Sequence, residues 1–233
     1  NPRAMTPWRL EQLWRLYLIA HDELTRELDA GRIQAPPDAS PEMAAFLSGF
    51  PARYLRVHTP EELQEHLALY EHARQHGAAV DIRRRRGNYA LTIATHDKPF
   101  LLASLAGALA GFGMNILKAD VFGNRKGMVL DTFVFEDPKR TLDLNPSEVD
   151  RLRLTLERII GGRMDVRQLL LNRPRPAAPT SRSRIRPSLT FDNDASEAST
   201  LIEVVAEDRP GLLYDLARTL SEGGCNIELV LID

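Results

Sequence analysis

Two stretches of this 233-residue chain repeat each other without a gap at a constant offset, 208 − 97 = 111. The offset pairs Asp97 with Asp208, Pro99 with Pro210, Leu101 with Leu212 and Leu102 with Leu213. It continues through Leu105/Leu216, Ala106/Ala217, Leu109/Leu220, Gly113/Gly224, Asn115/Asn226 and Ile116/Ile227. Such self-similarity implies duplicated modules rather than one continuous fold.

The periodicity gives each module its elements. Tyr89, Leu91 and Ile93 alternate with Ala90, Thr92 and Ala94, as in a half-buried strand. Pro99–Ala110 reads as a helix, Met114–Phe122 and Met128–Glu136 as strands joined by turn residues Gly123–Gly127, and Asn145-Pro146 opens a second helix that closes at Gly161-Gly162. Met164–Leu171 is expected to be the last strand. The order βαββαβ implies an α+β, ferredoxin-like unit with helices on one face of an antiparallel sheet. After a Pro/Arg-rich linker, the strand Leu201–Ala206, the helix Pro210–Leu220 and the strand Cys225–Ile232 repeat its first half only. Upstream, apolar residues at helical spacing between Trp8 and Leu28, at Pro41–Leu47 and at Pro60–His76 predict an all-α segment. The resulting domains are 1–80 helical, 81–172 the first module, 173–187 the linker and 188–233 an incomplete second module.

The chemistry follows from the position of Asp-x-Pro between the first strand and first helix. Proline at a helix's first position sacrifices no useful N–H, and glycine next to it leaves space for a ligand atom near free amides. A helix N-terminus favours a carboxylate, which makes an amino acid a natural guest. Asp208, Arg209, Pro210, Gly211 and Leu212, with Asn226 and Ile227 on the following strand, form the better candidate site. Asp97, Lys98, Pro99, Phe100 and Leu101, with Asn115, form the weaker one, because Phe100 places a ring where Gly211 leaves space.

These residues resemble tandem ACT domains. Phe50–Leu55 followed by Thr59-Pro60-Glu61-Glu62 and His66, and Phe191–Ser196 with Thr200–Val204, are similar to the segments flanking the ACT pair in the PII-protein uridylyltransferase/uridylyl-removing enzymes. The resemblance implies the C-terminal regulatory region of that family: the tail of an HD phosphohydrolase domain up to about Ile33, then two modules reporting glutamine to catalytic domains upstream. It also implies a parent enzyme that uses a divalent metal, magnesium, and acts on the PII signalling protein, with ACT–ACT pairing within or between chains. The stretch itself is expected to hold no catalytic residue, metal or cofactor. Two other readings stay open: an ACT interaction or dimerisation module that binds no small ligand, and a residual metal-dependent HD phosphohydrolase.

Composition narrows the partners. Thirty Lys and Arg nearly balance thirty-two Asp and Glu, so no whole-chain field recruits nucleic acid or an anionic membrane. The tract Arg83–Arg86 reads as a solvated strand edge. A single cysteine, Cys225, excludes an internal disulfide and is expected to be a small buried apolar side chain, in keeping with the cytoplasm. No apolar run reaches membrane-spanning length. His21-Asp22 reads as a solvated helix dyad and His66, His72 and His76 as an amphipathic helix surface. The start at Asn1 and the stop at Asp233 inside a strand pattern suggest a piece of a longer chain.

Overall fold

The computed structural model describes residue 33 and residues 39–85, 87–124, 126–171, 185–194, 199–227 and 229–232. The helix expected at Trp8–Leu28, the His21-Asp22 dyad, Arg86 and linker residues 173–184 lie outside the described residues.

Three helices open the described chain: α1 (Pro41–Leu47), α2 (Ala52–Val57) and α3 (Pro60–His76). Proline occupies the first position of α1 and α3, where its missing N–H costs nothing. Ser40 caps α1 by accepting from Met43 N–H, and Thr59 and Glu62 form a reciprocal capping box on α3. Gly77, at φ 90°, ends α3 in the left-handed region.

The hairpin β1 (Ala78–Arg85) and β2 (Asn88–His96) follows, then α4 (Leu101–Phe112), β3 (Asn115–Gly123), β4 (Met128–Glu136), the single turn α5 (Thr141–Leu144), α6 (Ser147–Ile160) and α7 (Val166–Leu171). After the linker come β5 (Ser188–Asp192), β6 (Leu201–Val205), α8 (Leu212–Glu222) and β7 (Leu229–Leu231). The main sheet runs β1-β2-β4-β3-β7 with every neighbour antiparallel, while β5 and β6 pair separately. The architecture is α+β, with the four-strand antiparallel sheet of an ACT-like ferredoxin unit in the first repeat.

Two expectations are corrected. Met164–Leu171 is not the last strand: Val166–Leu171 is helical. Asp165 accepts from the Arg167 N–H at 2.9 Å, nucleating a turn, and Val166 and Leu169, three residues apart, both face α4. The sheet position beside β2 is filled from the other end of the module by β1, whose Val80 and Ile82 pair with Ile93 and Leu91. The sheet is also covered on both faces. Leu91, Ile93, Val121, Val129 and Phe133 meet α4 and α6 on one side, whereas Ala79, Ala94, Phe122, Met128 and Leu130 meet α1–α3 on the other. Period-two alternation in β4 supplies both sets, because odd and even residues point oppositely.

Tyr54 fastens the helical segment to the sheet. Fully buried, its ring stacks on Phe50 at 4.6 Å and meets Phe122 of β3 edge-on at 5.3 Å. Its hydroxyl lies 2.7 Å from His66 Nδ1, and its carbonyl lies 2.8 Å from His58 Nδ1.

The duplication extends further than the motif. Adding 111 to β1 and β2 gives 189–196 and 199–207, where the β5–β6 hairpin sits; adding it to α4 gives 212–223, where α8 sits. Among the described residues, β6 pairs with β5 while β7 joins the main sheet beside β3.

Candidate functional site

Both Asp-x-Pro loops adopt the same backbone. Leu101 N–H donates to Lys98 O at 3.1 Å and Ser104 N–H to Phe100 O at 2.8 Å; in the second copy Leu212 N–H donates to Arg209 O and Asp215 N–H to Gly211 O, both at 3.0 Å. The residue before each helix is left-handed: Phe100 has φ 65°, ψ 11°, and Gly211 has φ 84°, ψ 7°. Glycine adopts that conformation freely, whereas a side chain there meets the following carbonyl.

Their surroundings differ. In the first loop, Asp97 N–H donates to Gly127 O at 2.8 Å, and Lys98 Nζ donates to the carbonyls of Ile160 and, at 3.4 Å, Ile159 at the end of α6. Burial holds the Lys98 ammonium below its ordinary pKa. Phe100 remains 41% exposed. In the second loop, Arg209 instead reaches Asp215 of its own helix at 2.5 Å, and Asp208 and Pro210 are exposed.

The second loop rests against the first module. A Cβ built on Gly211 would lie 3.9 Å from the Ala110 Cβ, near the C-terminal end of α4. One turn further along, a Cβ on Gly107 would lie 2.7 Å from the Tyr214 ring and 2.8 Å from Val166 Cγ2, and one on Gly111 would lie 2.6 Å from Leu169 Cδ2. Tyr214 and Ala217 are buried there. Helices α4 and α8 are therefore antiparallel, in step with the antiparallel pairing of β3 residues Asp120–Phe122 with β7.

This arrangement separates residues that the sequence groups together. Asn226 follows the C-terminus of α8, roughly 16 Å of helix away from Gly211 by its 1.5 Å rise per residue. Asn115 is separated from Phe100 by α4 in the same way. Asn115 lies instead just past Gly113, which caps the end of α4 that the second loop adjoins, and it donates from Nδ2 to Glu136 Oε1 at 2.8 Å. Asn226 is exposed, and Ile227 packs against the first-module core. Cys225, expected to be buried, is exposed, because the strand begins only at Leu229.

A buried carboxyl lies on the face of β4 that α4 and α6 cover. Asp131, 1% exposed and paired in register with Ile93 and Val121, has an Oδ1 without a hydrogen-bond partner. Burial, with Asp97 nearby, pushes its pKa up to about 8. No sequence pattern singled it out; an acid in the middle of a strand whose neighbours are mostly valine, leucine and phenylalanine is the signal that was available.

Other candidates are accounted for structurally. Arg83 pairs with Glu65 and Asp81, Arg84 with Asp143, and Arg85 with Glu62, so these three arginines of the edge strand β1 are neutralised by α3 and α5. His72 and His76 stack at 4.1 Å on the exposed face of α3. Among the described residues, no group of three or more His, Cys, Asp or Glu could hold a metal ion. Among the same residues no helix is long and apolar enough to cross a membrane.

Comparison with known proteins decides the kinship. A bifunctional uridylyltransferase/uridylyl-removing enzyme of Caulobacter vibrioides is 34% identical over 222 residues, which is 91% of this chain and 23% of that protein. The chain is a relative of these bifunctional enzymes. An enzyme of the same name from Phenylobacterium zucineum is 35% identical over 77% of this chain and 19% of its own length, and one from Rhodospirillum rubrum 29% identical over 95% and 26%. The chain thus spans about a fifth to a quarter of the length of the uridylyltransferase relatives it matches. No family model matches it, and no solved structure matches it significantly.

Proposed function

We propose that this stretch is the amino-acid-sensing, regulatory part of a bifunctional uridylyltransferase/uridylyl-removing enzyme, and is itself non-catalytic. Its ligand is glutamine, the whole enzyme acts on the PII protein with a divalent metal held elsewhere, and it works in the cytoplasm. The observation that carries the reading is the second loop: Asp208–Leu212 presents a glycine-opened helix N-terminus beside the C-terminal end of α4. An amino acid's carboxylate suits the free amides at that N-terminus, and Asp208 suits its ammonium. Asn115, at the same end of the helix pair, supplies a donor and an acceptor for a side-chain amide.

Binding at a junction between modules gives a route to regulation. A ligand favours whichever arrangement of the two modules it fits better, and it shifts that equilibrium by its difference in affinity. Titration calorimetry with L-glutamine against a panel of amino acids tests this reading, with saturable heat for glutamine that is lost in Asp208→Ala.

One observation favours a second reading, a pure interaction module: Tyr214 already fills the Gly107 notch and β7 already extends the first module's sheet. Absence of heat for every amino acid, with the module pairing intact, would favour it. Residual phosphohydrolase activity that a chelator abolishes would instead support the HD reading.

A further inference from the structure

We propose that the first Asp-x-Pro loop is a clasp and not a receptor, with Lys98 as the positioning residue that ties it to the end of α6. The last carbonyls of a helix have no partner within it and carry its negative pole. Lys98 Nζ donates to Ile160 O and, at 3.4 Å, to Ile159 O, which also accepts from Gly162 N–H at 3.0 Å, beside two side chains buried in the first-module core. Asp97 N–H bonds Gly127 O, so the β3–β4 turn holds the loop on its other flank. Between these anchors Phe100 is kept left-handed, one of only two non-glycine residues with positive φ among those described. A conformation that costs about 1–2 kcal/mol persists where its surroundings fix it.

The second copy supplies the contrast. Arg209 stands at the position of Lys98 but pairs with Asp215, and among the described residues its side chain donates to no helix-end carbonyl. The same motif therefore does two jobs. In the first module its cation binds carbonyl oxygens at the end of another helix; in the second it pairs with a carboxylate of the helix that follows it. This inference rests on the proposed reading only in giving ligand binding to the second loop.

Hydrogen exchange on the full chain tests it in two ways. Lys98→Met should speed exchange at residues 158–162 and at Leu101 and Ser104 together, by on the order of tenfold, as expected for loss of a charge-assisted hydrogen bond. Lys98→Arg should restore both, and the first turn of α6 should not respond. Unchanged exchange, or faster exchange at the α6 end with the loop unaffected, would overturn the clasp. In the wild type, saturating L-glutamine should slow exchange at Leu212 and Asp215 and not at Leu101 and Ser104; the reverse pattern would also overturn it. Protection at neither loop contradicts the glutamine reading, while the Lys98 comparison still decides the clasp.

Discussion

The ring of Tyr214 lies over Gly107 so closely that a Cβ there would sit 2.7 Å from its Cδ2. This contact joins the second repeat to the first and sets where the open motif loop lies. Gly107→Ala should push α8 away from α4 and cost about 1–3 kcal/mol, as overpacking does. Denaturant unfolding measures the loss, and exchange at α8 and β7 should rise before exchange at β2 or β4.

Phe100→Gly should stabilise the first module by up to about 1 kcal/mol, since relief of the left-handed strain outweighs the added freedom of the unfolded chain. Gly211→Phe should act in the opposite direction. A thermal melt of each variant checks the pair, and stabilisation by both would contradict the conformational argument.

Asp131 gives a pH dependence with a definite sign. Unfolded, its carboxyl loses a proton above about 3.8; folded, it keeps the proton until about 8. The unfolded state therefore binds fewer protons between those values, and this group's contribution to stability falls as pH rises through the window. Asp131→Asn should be nearly neutral at pH 4 and stabilising by about 1–3 kcal/mol at pH 9, measured by urea unfolding at both. A gain of equal size at both would show that titration is not the cause.

His66 has the opposite dependence. Only 5% exposed, it is held at a pKa of about 4 by burial first and by His58 next, against 6.5 for a free imidazole. The unfolded state takes up its proton first as pH falls, so stability is lost between about 6.5 and 4, by up to about 3 kcal/mol. Imidazole titration followed by NMR checks it; a free-histidine value would show the ring to be solvated.

The helical segment should depend on its aromatic cluster far more than on its ion pairs. Tyr54→Ala should cost about 3–5 kcal/mol. Glu62→Gln, which removes the partner of the half-exposed Arg85, should cost less than about 1 kcal/mol. Unfolding followed at α1–α3 separates the two.

Much of the fold could be read from residue order, because the apolar period changes where the element type does. The gapless register from Asp97 to Ile116 placed the helix after the motif in both copies, and β4 coincides with the alternation from Met128 to Glu136, whereas the strand expected over Cys225–Ile232 is limited to Leu229–Leu231. Of the hairpin strand β1 only the arginine tract reads as a strand edge; its start at Ala78 lies in the segment expected to be helical, although Val80 and Ile82 alternate with Asp81 before the Gly87 turn. Met164–Leu171 was misread because Met164 and Val166 flank Asp165 as in a strand, while Val166 and Leu169 fit a helical period. So short a segment cannot separate the two, and the notches at Gly107 and Gly111 settled it. The site was legible only as a list. Which asparagine accompanies which loop depends on α4 and α8 packing antiparallel, and no local pattern encodes that.

The central claim is that the second loop receives an amino acid at the junction of the two repeats. Calorimetric titration of L-glutamine into the chain and into its Gly211→Phe variant tests it most directly. The account predicts saturable binding that the variant abolishes while its fold and its Tyr214 contact survive. Saturable binding of equal affinity in the folded variant would contradict it.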